Sequence, residues 1–280
     1  MADVKTAAAK PSTTGHSVGK PKNSNNFWTN LLVVAACIVV SVLIFNFVLG
    51  SAGNFHDAEK HKPANFAGTM YSGGFVVPII MATLLTLICF IVERGLTIFK
   101  AKGRVPAGEF VRKVQYHLAN KNVDAALAEC DKQSGSVGNV MRSGLVKYRE
   151  MINNTDLDTD QKVLSIQKEI EEATALELPM LEKNLVFLST IASAATLLGL
   201  FGTVRGMIAS FSAMATAGAP DAASLAAGIS EALINTMLGI GTSFIAIIAY
   251  NFYTTIIDGV TFGIDESGFT LTQSFAANYK

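Results

Sequence analysis

Glu231 is the only acidic residue in the apolar stretch 222–257. An ionised carboxylate surrounded by hydrocarbon is costly unless it is paired or hydrated, so such residues mark ion paths or proton relays. Asn235 follows one helical turn later, on the same face, within hydrogen-bonding reach. Thr236 falls about 140° further round a helix at 100° per residue. It therefore shares a second face, with Ser243. The chemistry such a group supports is proton or ion passage. The plainer alternative is a structural ion pair with Arg205, the only charged residue in 184–220.

A second stripe precedes it. Steps of three and four run through Ser189, Ala192, Thr196, Gly199, Thr203, Gly206 and Ser210. Every residue on the line is small, and the line is one face of a helix. Gly202-x-x-x-Gly206 and Gly228 also fit the small-residue rule for close helix packing in membranes. Two readings stay open: packing alone, or a hydroxyl-lined water path.

Other chemistry is poorly supplied. There is no HExxH, no glycine-rich phosphate loop and no nucleophile–histidine pairing by motif, so no enzyme and no cofactor is expected. The three cysteines, Cys37, Cys89 and Cys130, are far apart in sequence and read as small buried hydrophobes. His56 and His61 share a loop with acidic residues, read as solvated. No metal site is expected.

These residues must be held by membrane helices. Half of the 280 residues are apolar, only 16% are charged, and mean hydropathy is +0.38. The 22 basic residues balance 22 acidic ones. Disorder, a nucleic-acid partner recruited by bulk charge and a disulfide scaffold are excluded. Of the 44 charges, 28 fall between Glu93 and Lys183, and 28–50 and 63–92 carry none. A span needs about 20 apolar residues. Four segments qualify: 28–50, 73–92, 184–217 and 222–257. The first is too long for a signal-peptide core and reads as a retained anchor. The expected fold class is all-α: a polytopic helical membrane protein with four transmembrane helices.

Lysines before the first span, and Arg94, Lys100, Lys102, Arg104, Arg112 and Lys113 after the second, set the orientation. The N-terminal stretch 1–27, expected to be a disordered tail, the region 93–183 and the tail 258–280 would be cytoplasmic. Loops 51–72 and 218–221 would face outward. Within 104–150 the patterning is helical, broken at Gly135 and Gly138. Asp156, Asp158 and Thr159 offer caps for an amphipathic helix, 159–178, with Val163, Ile166, Ile170, Ala173 and Leu176 or Glu177 in its stripe. Pro179 would kink it before the third span. A continuation to 217 would measure about 85 Å at 1.5 Å per residue.

Two runs carry a resemblance. Gly199-Leu-Phe-Gly-Thr-Val-Arg-Gly-Met-Ile-Ala-Ser-Phe211 and Gly228-Ile-Ser-Glu-Ala-Leu-Ile-Asn-Thr236 are similar to the paired signatures of the MotA/TolQ/ExbB proton-channel family, in the family's order and separation. Upstream, Ala125-Ala-Leu-Ala-Glu-Cys130 and Val140-Met-Arg-Ser-Gly-Leu145 also look like its cytoplasmic region. The resemblance covers about 75–257 and is nearest to the ExbB/TolQ branch. It implies a bacterial inner-membrane homo-oligomer, commonly a pentamer. The ring would surround the single spans of two small ExbD/TolR-like partners, whose aspartate takes the proton. Carried over by motif, Thr203, Glu231 and Thr236 would line the path. Thr196, Gly199, Gly202, Gly206, Ser210, Gly228 and Asn235 would support it. A TonB-like protein and membrane lipid are the further partners expected. The chain departs from the family in two ways. An extra span, 28–50, precedes the three-helix core, and Arg205 stands where the family is often apolar or aromatic.

The expectation is a non-enzymatic subunit of a proton-driven motor serving TonB-dependent transport. Rivals within the family are a TolQ-like envelope role and a gliding or flagellar stator. From other classes, a substrate transporter would need Glu231 as a binding group, but no inverted repeat or broken-helix pair is visible. A passive membrane scaffold would be indifferent to loss of the Glu231 charge.

Overall fold

The structure, a computed structural model, describes residues 26–56, 63–216 and 222–279. Residues 1–25, 57–62 (including His61), 217–221 and 280 lie outside the described residues. Among the described residues every regular element is helical, and Phe55 and Pro63 form the single isolated bridge. The all-α expectation holds. Four helices are long and apolar enough to cross a membrane.

The extra N-terminal helix α1 (Asn26–Leu43) runs on through a π-helical turn, Ile44–Leu49, and ends at Gly50. The short α2 (Phe66–Tyr71) is capped by Asn65, whose side chain accepts from Gly68 N–H. Next, α3 (Val76–Ala101) extends nine residues beyond the expected end at 92. Pro78 falls in its first turn, where a missing N–H costs nothing. Helix α1 packs on α3, and Ser41 Oγ donates to Pro78 O at 2.6 Å. Cys37 and Cys89 meet across this contact with 3.9 Å between sulfurs, a pairing their 52-residue separation concealed.

Four helices follow: α4 (Ala107–Ala119), α5 (Val123–Gln133), α6 (Gly135–Asn153) and α7 (Thr159–Glu182). The break between α5 and α6 lies at Ser134 and Gly135, both with positive φ. Gly138 does not break the chain; it lies inside α6. Of the three candidate caps, Asp158 starts α7, in a reciprocal capping box with Gln161. Ile166 and Ile170 are buried as the stripe requires, but Leu176 points out, and Glu177 instead accepts from Asn139. These helices pack against the far end of α9 around Phe110, Met141, Leu145, Tyr148, Leu271 and Phe275.

The helix that starts at Thr159 does not run on unbroken into the third span. Pro179 stays within α7, and the chain turns at Lys183 and Asn184 before α8 (Leu185–Thr216). Asn184 adopts a left-handed φ of 64°, which Asn tolerates better than most residues. Its side chain accepts from Asn30 on α1 at 3.1 Å and donates to Glu93 on α3 at 3.1 Å. Arg94, 2% exposed, pairs with Glu93 and donates to the Lys183 carbonyl. One polar cluster thus ties α1 and α3 to the α7–α8 turn.

The last helix, α9 (Ala222–Asn278), does not stop at 257. Its 57 residues span about 85 Å at 1.5 Å per residue. Helices α8 and α9 form the most extensive contact in the fold. Outside this contact their membrane-length parts expose many large apolar side chains, among them Leu197, Leu200, Val204, Ile208, Leu233, Phe244 and Ile248. A surface of this kind suits lipid or neighbouring helices, not water.

Candidate functional site

The small-residue stripe packs α8 onto α9. A Cβ at Gly206 would lie 2.8 Å from the Gly228 carbonyl, and one at Gly239 would lie 2.6 Å from the Ala195 carbonyl. A Cβ at Gly228 would overlap Ser210 Oγ at 1.7 Å. The helices therefore touch backbone to backbone, which side chains would forbid. Gly199, Gly206, Ser210 and Gly228 all lie in this close contact.

Gly202 serves a different contact. Its face accommodates the Asn235 side chain, whose Cβ lies 2.3 Å from where a Gly202 Cβ would stand. Asn235 is fully buried. Its Nδ2 donates to Gly73 O at 2.9 Å and to Glu231 O at 3.0 Å. The expected partner was the Glu231 carboxylate; the observed one is the Glu231 backbone carbonyl. Asn235 Oδ1 is buried with no hydrogen-bond partner.

The Glu231 carboxylate meets Arg205 instead, in a short ion pair across the α8–α9 hairpin. The side chains are 17% and 38% exposed respectively, so the pair is only partly covered. Arg205 lies over the Phe75 ring, 4.2 Å from its centroid, a cation–π contact. Gly74, with a φ of +74°, brings the turn before α3 against the carboxylate. A Cβ there would stand 2.5 Å from Glu231 Oε1. The left-handed backbone and the lack of space both call for glycine.

Arg205 lies 21 residues beyond Asn184, about 30 Å along α8 at 1.5 Å per residue. The ion pair thus stands near the end of the apolar bundle remote from α4–α7. This pairing is the plainer of the two sequence readings of Glu231. The signal was the isolation of one cation and one anion in two adjacent apolar segments.

Thr203 is two residues from Arg205, about 200° round α8, and so faces away from the pair. Its hydroxyl donates to Leu200 O at 2.6 Å. It opens on a groove of about 490 Å³ shared with Val204, Met207, Ile208 and Phe211. Thr196 is exposed further along α8. Thr236 sits between the two helices, with Gly199 O at 3.4 Å and Ala232 O at 3.3 Å as acceptors. Ser243, on its face, donates to Ala192 O at 2.5 Å. Within one chain the two threonines and Glu231 are therefore on three different aspects of the hairpin.

A profile of the MotA/TolQ/ExbB proton channel family matches residues 133–265, from the end of α5 through the hairpin and well into the distal half of α9. This region is similar to that family. A Tol-Pal system protein TolQ from Pseudomonas aeruginosa is 29% identical over 180 residues, covering 62% of this chain and 77% of that protein. A biopolymer transport protein ExbB from Pseudomonas putida is 28% identical over 224 residues, 79% of this chain and 63% of its own length. A putative ExbB-like protein from Synechocystis is 35% identical over 89 residues, 31% of this chain and 42% of that one. The chain is thus similar to proteins of the ExbB/TolQ branch, and it has four helices long and apolar enough to cross a membrane. Relatives bear both names.

Proposed function

We propose that the chain is the ring-forming subunit of a proton-driven inner-membrane motor serving TonB-dependent outer-membrane transport. The observation that carries this reading is the open face of α8. Thr203 is the lone hydroxyl in a groove otherwise lined by Val204, Met207, Ile208 and Phe211. Such a groove fits an apolar single-span helix that carries one polar side chain. In a ring, five such faces would surround the spans of two small partners of the ExbD/TolR kind. The similarity of the hairpin to the family supports the same arrangement.

Protons would pass inside the ring by way of an aspartate on the partner. Protonation removes a charge in a low-dielectric site and lets the partner helix shift against the ring. Each charge crossing 100 mV supplies about 2.3 kcal/mol. Thr203 would hydrogen-bond water or the partner carboxylate, Thr236 would do so at the subunit edge, and Glu231 would shape the field beside them. The N-terminus and α4–α7 would be cytoplasmic, as the basic flanks dictate.

A second reading, an envelope-maintenance role of the TolQ kind, is favoured by the Pseudomonas aeruginosa relative, 77% of whose length is matched. The partners decide between them. The native mass of the gently extracted complex, with every bound chain identified, is the test. A ring holding a small single-span partner with a membrane aspartate supports the motor. A TonB-like companion then selects import, and Tol companions select the envelope role. A monomer or dimer without such a partner overturns both. Glu231→Gln should leave the complex assembled and abolish energised uptake; a silent substitution would favour a passive scaffold.

A further inference from the structure

The buried acceptor beside Glu231 has no donor. Asn235 Nδ2 is committed to two carbonyl oxygens, those of Gly73 and Glu231. This fixes the amide's orientation, since turning it over would set oxygen against oxygen. Asn235 Oδ1 is then an enclosed acceptor left unsatisfied. Such an atom costs about 1–3 kcal/mol and calls for a reason. Glu231 is four residues earlier on the same helix, where side chains stand about 5–6 Å apart at Cβ. As a carboxylate it has no proton to give and turns to Arg205. As a carboxylic acid it is a donor.

We propose that Asn235 Oδ1 is the acceptor for the protonated form of Glu231, which makes Arg205, Glu231 and Asn235 a two-position proton switch. A proton arriving from water in the path bonds to a Glu231 carboxylate oxygen. The ion pair with Arg205 breaks, and an O–H···O bond to Asn235 forms. The site's charge changes from zero to plus one. Arg205, already 38% exposed and resting on Phe75, becomes an unpaired cation. It then attracts an anionic group, such as a carboxylate on a partner helix, and releases it when Glu231 loses its proton. This deepens the motor reading and rests on it only in requiring that Glu231 meets protons.

Among the described residues the surroundings offer little competition. From α8 the charged group facing Glu231 is Arg205; from the turn before α3 come Gly74 and the Phe75 ring. From α2, Tyr71 belongs to the apolar cluster that includes Ile234. The charges of α3, Glu93, Arg94 and Lys100, lie towards its other end, and α1 carries none.

The test uses the intact complex and two measurements. Infrared difference spectra across a pH titration, with Glu231→Gln to assign the band, report the protonated Glu231 carbonyl stretch. In Asn235→Leu this band should move to higher frequency, as a lost hydrogen bond requires. An unmoved band overturns the proposal. No protonated band at any pH overturns both it and the proton-path reading. Because Asn235→Leu also removes the Gly73 contact and risks misfolding, a structure of Glu231→Gln supplies the second arm. There the new side-chain amide should donate to Asn235 Oδ1, with Arg205 turned away. A side chain still on Arg205, or a water on Asn235 Oδ1, overturns the proposal.

Discussion

Arg205 of α8 and Glu231 of α9 are paired across the hairpin, roofed on one side by Phe75 and closed in by the turn at Gly74. Both charges stand in segments that are otherwise uncharged. Each therefore compensates the other, and removing one should hurt more than removing both.

Arg205→Leu should leave Glu231 unpaired and destabilise the subunit by about 1–3 kcal/mol, below the range for fully buried pairs because both groups keep some exposure. Adding Glu231→Gln should recover most of that loss. The measurement is thermal unfolding of the purified complex for the wild type, both single variants and the double. Additive losses would count against the pair as a stability element.

Close approach of α8 and α9 makes a different demand. Gly228→Ala would drive a methyl into Ser210, and Gly202→Ala would drive one into Asn235. Neither neighbour is a flexible tip, so the helices must separate. We expect losses of about 1–3 kcal/mol for each, typical of overpacking. Gly241→Ala, with open space around the new methyl, is the control and should be neutral. Hairpin crosslinking between engineered cysteines in α8 and α9 would report the separation.

The polar cluster at the α7–α8 turn should be strongly sensitive to Arg94. Arg94→Ala leaves the Lys183 carbonyl without its side-chain donor and Glu93 with Asn184 alone in place of the ion pair. The expected cost is about 2–4 kcal/mol, because the lost group is a buried charged hydrogen-bond donor. Asn30→Ala removes only one bond to Asn184 and should cost about 1 kcal/mol. Protease resistance of the 183–184 junction reads both.

Cys130 gives a pH signature outside the membrane-spanning segments. Burial pushes its thiol up to about 12 in the folded chain. The unfolded thiol ionises near its ordinary value of 9.0. Below 9 neither state releases this proton, and stability is independent of it. As pH rises from 9 to 12 the unfolded chain alone deprotonates, and stability falls by about 1.4 kcal/mol per unit. The difference in denaturant midpoint between wild type and Cys130→Ala should therefore shrink across that window. Alkylation of Cys130 in the folded chain should be slow at any lower pH.

The spans were legible because uncharged runs of 20 or more residues admit few other structures. The chain's corners were less so. Asn184 ends a helix through a left-handed conformation that its neighbours in space hold, and nothing local distinguishes it from Pro179. The end of α9 was missed because Asp258, Asp265 and Glu266 suggest a solvated tail, whereas Leu271 and Phe275 are buried under Tyr148. At the site, type and spacing singled out Glu231, Asn235 and the glycines. They could not reveal that Asn235 bonds the backbone and not the carboxylate. That depends on Gly73, 162 residues away.

Helix α9 has one further consequence. It carries Glu231 near one end and Phe275 near the other, with no interruption among its 57 residues. The two lie about 65 Å apart along a single rod at 1.5 Å per residue. With no joint between them, a tilt or roll imposed at the ion pair cannot be absorbed locally. It arrives at Leu271 and Phe275 as leverage on α6 and α7. Fluorescent probes on α6 would register events at the carboxylate, making the distal bundle a mechanical gauge of the membrane site.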